Sequence, residues 1–231
     1  MADPEKLGIM SQVFCGVFDN GLIFPYPQLS SDETETVEML VDSFKGFARR
    51  KIDPVKLDLD HETPREILDG LFDLGLMSLS IPECYGGAGM SMTAYCRVME
   101  NVGRYDASIA VTVGGHQSIG MKAILLFGTQ AQKDTYLPQL ADGRRIAAYA
   151  LTEPEAGSDA GSIKTRAVYD PERKTFTLNG SKLWITNGGI GGLFTVFAKE
   201  EIDGKDVITA FIVEGERPGL TRGKPELKMG I

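Results

Sequence analysis

The spacing of apolar residues changes period part-way along the chain, and that change limits the folds open to it. Up to about residue 140 the apolar positions recur at i, i+3, i+4 and i+7, as in helices with one buried face. Val37, Leu40, Val41, Phe44, Phe47 and Ala48 follow this spacing after Ser30 and Ser31, and Met92, Tyr95, Val98, Met99 and Val102 follow it behind Ser91. Thr63-Pro64-Arg65-Glu66 reads as a capping box with proline at the first helical position. It opens a helix through Ile67, Leu68, Leu71 and Phe72 that Gly75 ends. Asp106 is the expected cap of a fourth helix, Gln117–Phe127 forms a fifth, and Thr129 caps a short sixth stopped by Leu137-Pro138.

From Ile146 the pattern becomes strand-like. Thr175-Phe176-Thr177-Leu178 alternates, Leu193–Ala198 is rich in β-formers, and Val207–Val213 is a short apolar run. Asp170-Pro171-Glu172-Arg173, Asn187-Gly188-Gly189 and Asp203-Gly204-Lys205 are the turns between them. Helices first and strands second predict an α+β chain of two segregated units, a helical domain over 1–142 and a β domain over 143–231. The chain stops at Lys228-Met229-Gly230-Ile231 without a cap or polar tail, which reads as a chain cut inside the β unit.

Composition removes several functions. A net charge of −8, with no basic cluster beyond Arg49-Arg50-Lys51, argues against nucleic acid as a partner. No apolar run approaches the ~20 residues of a membrane span, and Met1–Lys6 has no basic region leading into an apolar core, so no secretory signal is expected. Cys15, Cys84 and Cys96 form no CxxC pair, which suits a reducing compartment and a structural role. With only His61 and His116, a histidine metal site or a serine–histidine triad has almost nothing to draw on, and no metal is expected.

Two stretches carry possible chemistry. In Tyr149–Asp159 a strand ends near Thr152, Pro154 turns the chain out of the sheet and Gly157 permits unusual backbone angles. The resulting loop offers amides and the hydroxyls of Thr152 and Ser158 to a planar heterocycle or a phosphate; the same composition also suits an ordinary surface turn. In Asn179–Gly189 the single tryptophan, Trp184, alternates with Thr186, which puts both on one face of a strand. There they would flank an aromatic cofactor, or Trp184 would simply fill the core. His116, among glycines, reads as a buried hydrogen-bonded histidine, and neither Glu153 nor Asp159 reads as a general base.

Together, Leu151-Thr152-Glu153-Pro154-Glu155-Ala156-Gly157-Ser158-Asp159 and Asn179-Gly180-Ser181-Lys182-Leu183-Trp184-Ile185-Thr186-Asn187-Gly188-Gly189 resemble the flavin-contacting pair of the acyl-CoA dehydrogenase family. The resemblance extends through Phe127-Gly128-Thr129, Tyr136-Leu137-Pro138 and Thr209–Val213 to Lys228–Ile231, and Phe24-Pro25-Tyr26-Pro27 and Gly115–Gly120 look like its very-long-chain branch. It implies an all-α N-terminal domain, an antiparallel β-barrel-like middle domain and a C-terminal four-helix-bundle domain that this chain lacks. By the same resemblance the cofactor is FAD. Tyr149, Leu151 and Thr152 would contact the isoalloxazine, Ser158 would face both FAD and the acyl-CoA substrate, and Trp184, Ile185 and Thr186 would lie against the flavin from the other side.

The implied reaction is α,β-dehydrogenation of long-chain acyl-CoA thioesters in fatty acid β-oxidation, with electrons passed to electron-transfer flavoprotein. The family's base is a glutamate of the C-terminal domain, so no catalytic residue is assigned here and the chain alone is expected to be inactive. A homo-oligomer when complete is expected, in a bacterial cytoplasm or, after removal of a transit peptide, in mitochondria. Alternatives on the same fold are an oxygen-using acyl-CoA oxidase or flavin monooxygenase, and a non-catalytic assembly factor for a respiratory complex. Gly114, Gly115 and Gly120, costly in a helix, would make room for a long acyl tail or allow a close helix contact.

Overall fold

Each helix of the first half starts where a short polar side chain can take up an orphan amide. In the computed structural model, which describes residues 8–228, the helices are α1 (Ile9–Phe14), α2 (Ser31–Lys51), α3 (Pro54–Asp60), α4 (Arg65–Asp73), α5 (Met92–Tyr105), α6 (Ala107–Gly114), α7 (Lys122–Phe127) and α8 (Gln130–Ala141). Ser30, Ser91 and Asp106 accept the amides of Glu33, Ala94 and Ile109, and Thr129 with Gln132 forms a full capping box.

Two expected helix ends differ. Pro64 itself occupies the N-cap of α4 with an extended backbone, so the box between Thr63 and Glu66 does not form. Pro138 lies inside α8, which runs on to Ala141. Proline removes a single backbone bond there, and the burial of Leu137, Leu140 and Ala141 outweighs that loss.

Side chains of α2, α4, α5 and α6 form one core around Phe44, Leu68, Leu71, Val98, Val102 and Ile109. A second cluster joins Met121, Ile124, Leu137 and Leu140 to Ala147 and Leu193 of the β unit, so the two halves share a core at their seam. Between α6 and α7, Gly115–Gly120 winds as a π-helix. The result is a 21-residue helical stretch, Ala107–Phe127, long and apolar enough by composition to cross a membrane. The sequence expectation of no such stretch is therefore corrected. Its middle holds the fully buried His116 and Gln117, bonded to other parts of the chain, so the stretch serves as a core helix of this fold.

The strands are β1 (Ala147–Ala150), β2 (Arg166–Asp170), β3 (Thr175–Asn179), β4 (Leu193–Ile202) and β5 (Lys205–Glu214). β4 is the axis. One edge pairs antiparallel with β5 from Leu193↔Glu214 to Ile202↔Lys205. Its other edge takes β1 in parallel at Leu193–Val196 and then β2 in parallel at Lys199, while β2 and β3 form an antiparallel hairpin. The sheet is mixed, which amends the antiparallel expectation. Parallel neighbours need long crossovers, and residues 151–165 and 180–192 supply them. The Phe176 ring of β3 meets Phe211 of β5 at 5.1 Å, although those strands share no ladder, so the sheet curls as a barrel does.

A candidate cofactor-facing site

The two crossover segments lie side by side beyond β1. Tyr149, still on β1, is half-buried with its ring 4.9 Å from Phe197, and Leu151 and Thr152 follow it half-buried. Glu153 turns inward and is buried, whereas Ser158, at the far end of the loop, is exposed. The second segment meets the first where the Leu183 amide donates to the Thr152 carbonyl at 2.9 Å.

Residues 180–187 are irregular, so the expected strand with Trp184 and Thr186 on one face is corrected. Trp184 has a left-handed backbone (φ 55) and is 62 % exposed, which also excludes it from the core. A bulky residue in that region costs about 1–3 kcal/mol and is held there only by its surroundings. Three features hold this segment. Gly180 packs so tightly that a Cβ would lie 2.2 Å from Thr165 Oγ1, Lys182 is drawn inward, and the Asn187 side chain donates to the carbonyls of Thr112 at 3.0 Å and Ala147 at 3.4 Å. Ile185 and Thr186 end up half-buried, Thr186 lying close to Gly115 at the end of α6.

The electrostatics of the site centre on Glu153. Its carboxylate accepts from the amides of Lys164 (2.6 Å) and Thr165 (3.0 Å), from the Thr165 hydroxyl (2.5 Å) and from Lys182 Nζ (2.7 Å), which also donates to the Leu151 carbonyl at 3.0 Å. Burial pushes the carboxyl pKa up, but the bonds from Lys182, Thr165 and Lys164 override it and hold the pKa at about 2. A carboxylate so occupied takes no proton near neutrality, in keeping with the reading that it is not a base.

The hydroxyls of Thr152, Ser158 and Thr186 make no hydrogen bond to any described residue. Together with the exposed ring of Trp184 they offer hydrogen-bonding groups and an aromatic surface to something outside the chain, a donor set that fits a planar heteroaromatic group. Ser158 stands apart, with no hydrogen bond to the second segment among the described residues. Sequence reasoning missed Glu153, Lys182, Thr165 and Asn187 as the parts that build the site. The first two carry opposite charges inside the two motifs, but no local spacing rule pairs residues 29 apart in sequence.

The seam beside the site rests on His116. Nδ1 accepts from the Ala147 amide at 2.9 Å, which leaves Nε2–H to donate to the Leu140 carbonyl at 3.1 Å. Full burial lowers its pKa to about 4 against the opposing pull of the Leu140 and Met77 carbonyls, so the ring is neutral. Gln117 likewise accepts from the Ser80 amide and donates to Leu76. Of the three glycines, two serve close contact: a Cβ on Gly115 would lie 2.6 Å from Thr186 Cγ2, and one on Gly120 would lie 2.7 Å from Ala147 Cβ. Only Gly114 has room, its nearest neighbour being the Tyr95 hydroxyl at 3.8 Å.

Comparison with known proteins agrees with this architecture. Residues 34–144 match the model of the acyl-CoA dehydrogenase N-terminal domain, and residues 148–231 match that of the middle domain. The very long-chain specific acyl-CoA dehydrogenases, mitochondrial, of Macaca fascicularis and Homo sapiens are 46 % identical over the whole of this chain, which spans 36 % of their length. Among solved structures, an acyl-CoA dehydrogenase complexed with FAD from Bacillus anthracis superposes with a TM-score of 0.77 at 36 % identity, over 87 % of this chain and 34 % of that one. Butyryl-CoA dehydrogenase from Megasphaera elsdenii gives 0.76 at 34 % identity, over 86 % of this chain and 52 % of that one. A structure titled as an electron transferring flavoprotein of Acidaminococcus fermentans gives 0.76 at 33 % identity, over 85 % of this chain and 51 % of that one.

Proposed function

The chain belongs to the acyl-CoA dehydrogenase family, spanning its N-terminal and middle domains, and from that premise we propose that it forms the flavin-holding part of an FAD-dependent acyl-CoA dehydrogenase. The observation that carries this reading is the asymmetry of the two apposed loops. The carboxylate of Glu153, the ammonium of Lys182 and the side-chain amide of Asn187 are bonded within the chain, while the hydroxyls of Thr152, Ser158 and Thr186 have no hydrogen-bond partner among the described residues and Trp184 is exposed.

FAD bound there supplies the hydride acceptor for α,β-dehydrogenation of an acyl-CoA thioester. The chain's own part is to bind and orient. Thr152 and Thr186 would offer their hydroxyls to the ring system, where fixed donors favour added negative charge. Trp184 would hold the ring system through its exposed indole, and Tyr149, Leu151 and Ile185 would help to keep water from it. Ser158, at the loop's exposed end, serves both cofactor and acyl-CoA. No residue of the chain is proposed as the base, since Glu153 is fully engaged with Lys182, Thr165 and Lys164.

Long-chain thioesters of fatty acid β-oxidation are the proposed substrates and electron-transfer flavoprotein the proposed electron acceptor. The similarity to very-long-chain enzymes and to the electron transferring flavoprotein structure supports both. A homo-oligomer is proposed for the whole protein. The mammalian relatives are mitochondrial by name, which favours a mitochondrial setting over a bacterial cytoplasm.

Titration of the chain with FAD, followed through the emission of its single tryptophan, tests the reading. Saturable quenching that weakens in Thr152→Val and Thr186→Val is expected. Emission indifferent to FAD, or equal binding by both variants, would overturn it.

A further inference from the structure

We propose that the buried Glu153–Lys182 pair is a positioning clamp, which fixes the loop bearing Thr152 against the loop bearing Trp184 and Thr186 and so sets how tightly a planar cofactor is held between them. The inference rests on the cofactor reading above. Neither residue is placed in contact with the cofactor; both act through their neighbours.

Three observations carry it. First, the two loops lie outside the sheet ladders, and the direct backbone link between them is the bond from Leu183 to Thr152. A single peptide hydrogen bond at a strand end frays readily, so something else must set the spacing. Second, the carboxylate of Glu153 gathers donors from two separate stretches of chain, Lys164-Thr165 and Lys182, while the same ammonium reaches back to Leu151. The two side chains are adjacent to Thr152 and two residues from Trp184, so any change in their separation moves the proposed cofactor contacts.

Third, burial singles this pair out. The Lys182 side chain is 12 % exposed and that of Glu153 6 %, whereas the neighbouring Lys164–Glu155 pair is 71 % and 69 % exposed. A buried ion pair is a weak source of stability, because desolvation offsets most of the attraction, and its best-attested use is to fix one register among several. Gly180 completes the arrangement, since only a residue without a side chain lets that strand end approach Thr165 closely enough for Lys182 to enter.

The test uses the 231-residue chain, Trp184 emission without cofactor, and FAD affinity measured by quenching. Lys182→Met should shift the emission maximum of the cofactor-free chain and weaken FAD binding by about tenfold or more, while Lys182→Arg, which keeps the charge, should recover most of both. Arg173→Met removes an exposed charge in the turn between β2 and β3, outside both loops, and should change neither. Unchanged emission and affinity in Lys182→Met, or an equal response in Arg173→Met, would overturn the clamp. Hydrogen exchange on the unaltered chain gives a second reading that needs no variant. The amides of Lys164, Thr165 and Leu183 should be protected like those of β1, and exchange as in a free loop would count against the proposal. A chain that fails to bind FAD would defeat the cofactor reading, whereas the emission and exchange results would still judge the clamp.

Discussion

His116 and Thr186 lie within one contact of each other across Gly115, yet they belong to opposite kinds of surface. At the seam, His116 and Gln117 are fully buried, and each has both ends of its polar group bonded to backbone. In the loops the buried Glu153 is just as well satisfied, but the hydroxyls of Thr152, Ser158 and Thr186 have no partner among the described residues. An unsatisfied group in the interior costs about 1–3 kcal/mol, so fully paired polar residues mark structure. Hydroxyls without a partner among the described residues, in the loops that carry the exposed Trp184, are the groups proposed to meet a ligand. The contrast predicts that seam changes act on stability and loop-edge changes on binding.

The largest effect should follow removal of His116. His116→Ala deletes a buried ring, orphans the Ala147 amide and the Leu140 carbonyl, and should cost about 3–5 kcal/mol in urea unfolding. A loss below about 1 kcal/mol would erase the distinction between seam and site.

Acid unfolding separates the two regions next. His116 has its pKa lowered to about 4 from an ordinary 6.5, so its contribution is complete above pH 6.5 and is lost as the pH falls toward 4. Glu153 is held at about 2 from an ordinary 4.5, so its contribution persists down to 4.5 and is lost between there and 2. Each amounts to something on the order of 3 kcal/mol. Urea stability measured against pH should therefore fall in two stages, and His116→Gln should remove the upper stage alone. A single stage unaffected by that variant would contradict the assignment.

Adjacent glycines sharpen the comparison at a smaller scale. Gly115→Ala places a methyl 2.6 Å from Thr186 Cγ2, so it should cost about 1–3 kcal/mol and also weaken FAD binding, because the residue displaced is one of the proposed contacts. Gly114→Ala meets nothing nearer than 3.8 Å and should gain up to about 1 kcal/mol from helix propensity without touching binding. Thermal unfolding and flavin titration of the two variants would check both halves. Equal effects would mean that the seam does not reach the site.

Much of this was legible in the sequence, for reasons that are local. Ser91, Asp106 and Thr129 cap where expected because capping is settled within three residues, and the Asp170–Arg173 turn joins β2 to β3 for the same reason. Tyr149, Leu151, Thr152 and Trp184 stand in short motifs, which is why the sequence singles them out as candidates. The rest depends on contacts distant in sequence. Alternation around Trp184 resembled a strand, but Gly180 against Thr165 and Lys182 against Glu153 bend that segment out of the ladder. The parallel placement of β1 and β2 on β4, and the π-turn at Gly115–Gly120, depend on which backbone lies beside them. Nothing in a window of ten residues records that.

The smallest effect on stability is expected at the loop edge, and it is the most discriminating. Thr152→Val keeps the volume and branching of the side chain and removes only a hydroxyl that bonds to nothing described. Its backbone carbonyl, which receives the Leu183 amide, is untouched. Stability should stay within about 0.5 kcal/mol of the unaltered chain, the usual range for a surface change that breaks no contact, while FAD affinity falls by severalfold, as loss of about one hydrogen bond requires. The corresponding seam change, Gln117→Leu, keeps a similar size but strands the Ser80 amide and the Leu76 carbonyl, so it should cost stability first. If Thr152→Val destabilised the chain as much as Gln117→Leu, the free hydroxyl would be a structural group after all, and the division between a satisfied interior and an open edge would fail at the residue on which it most depends.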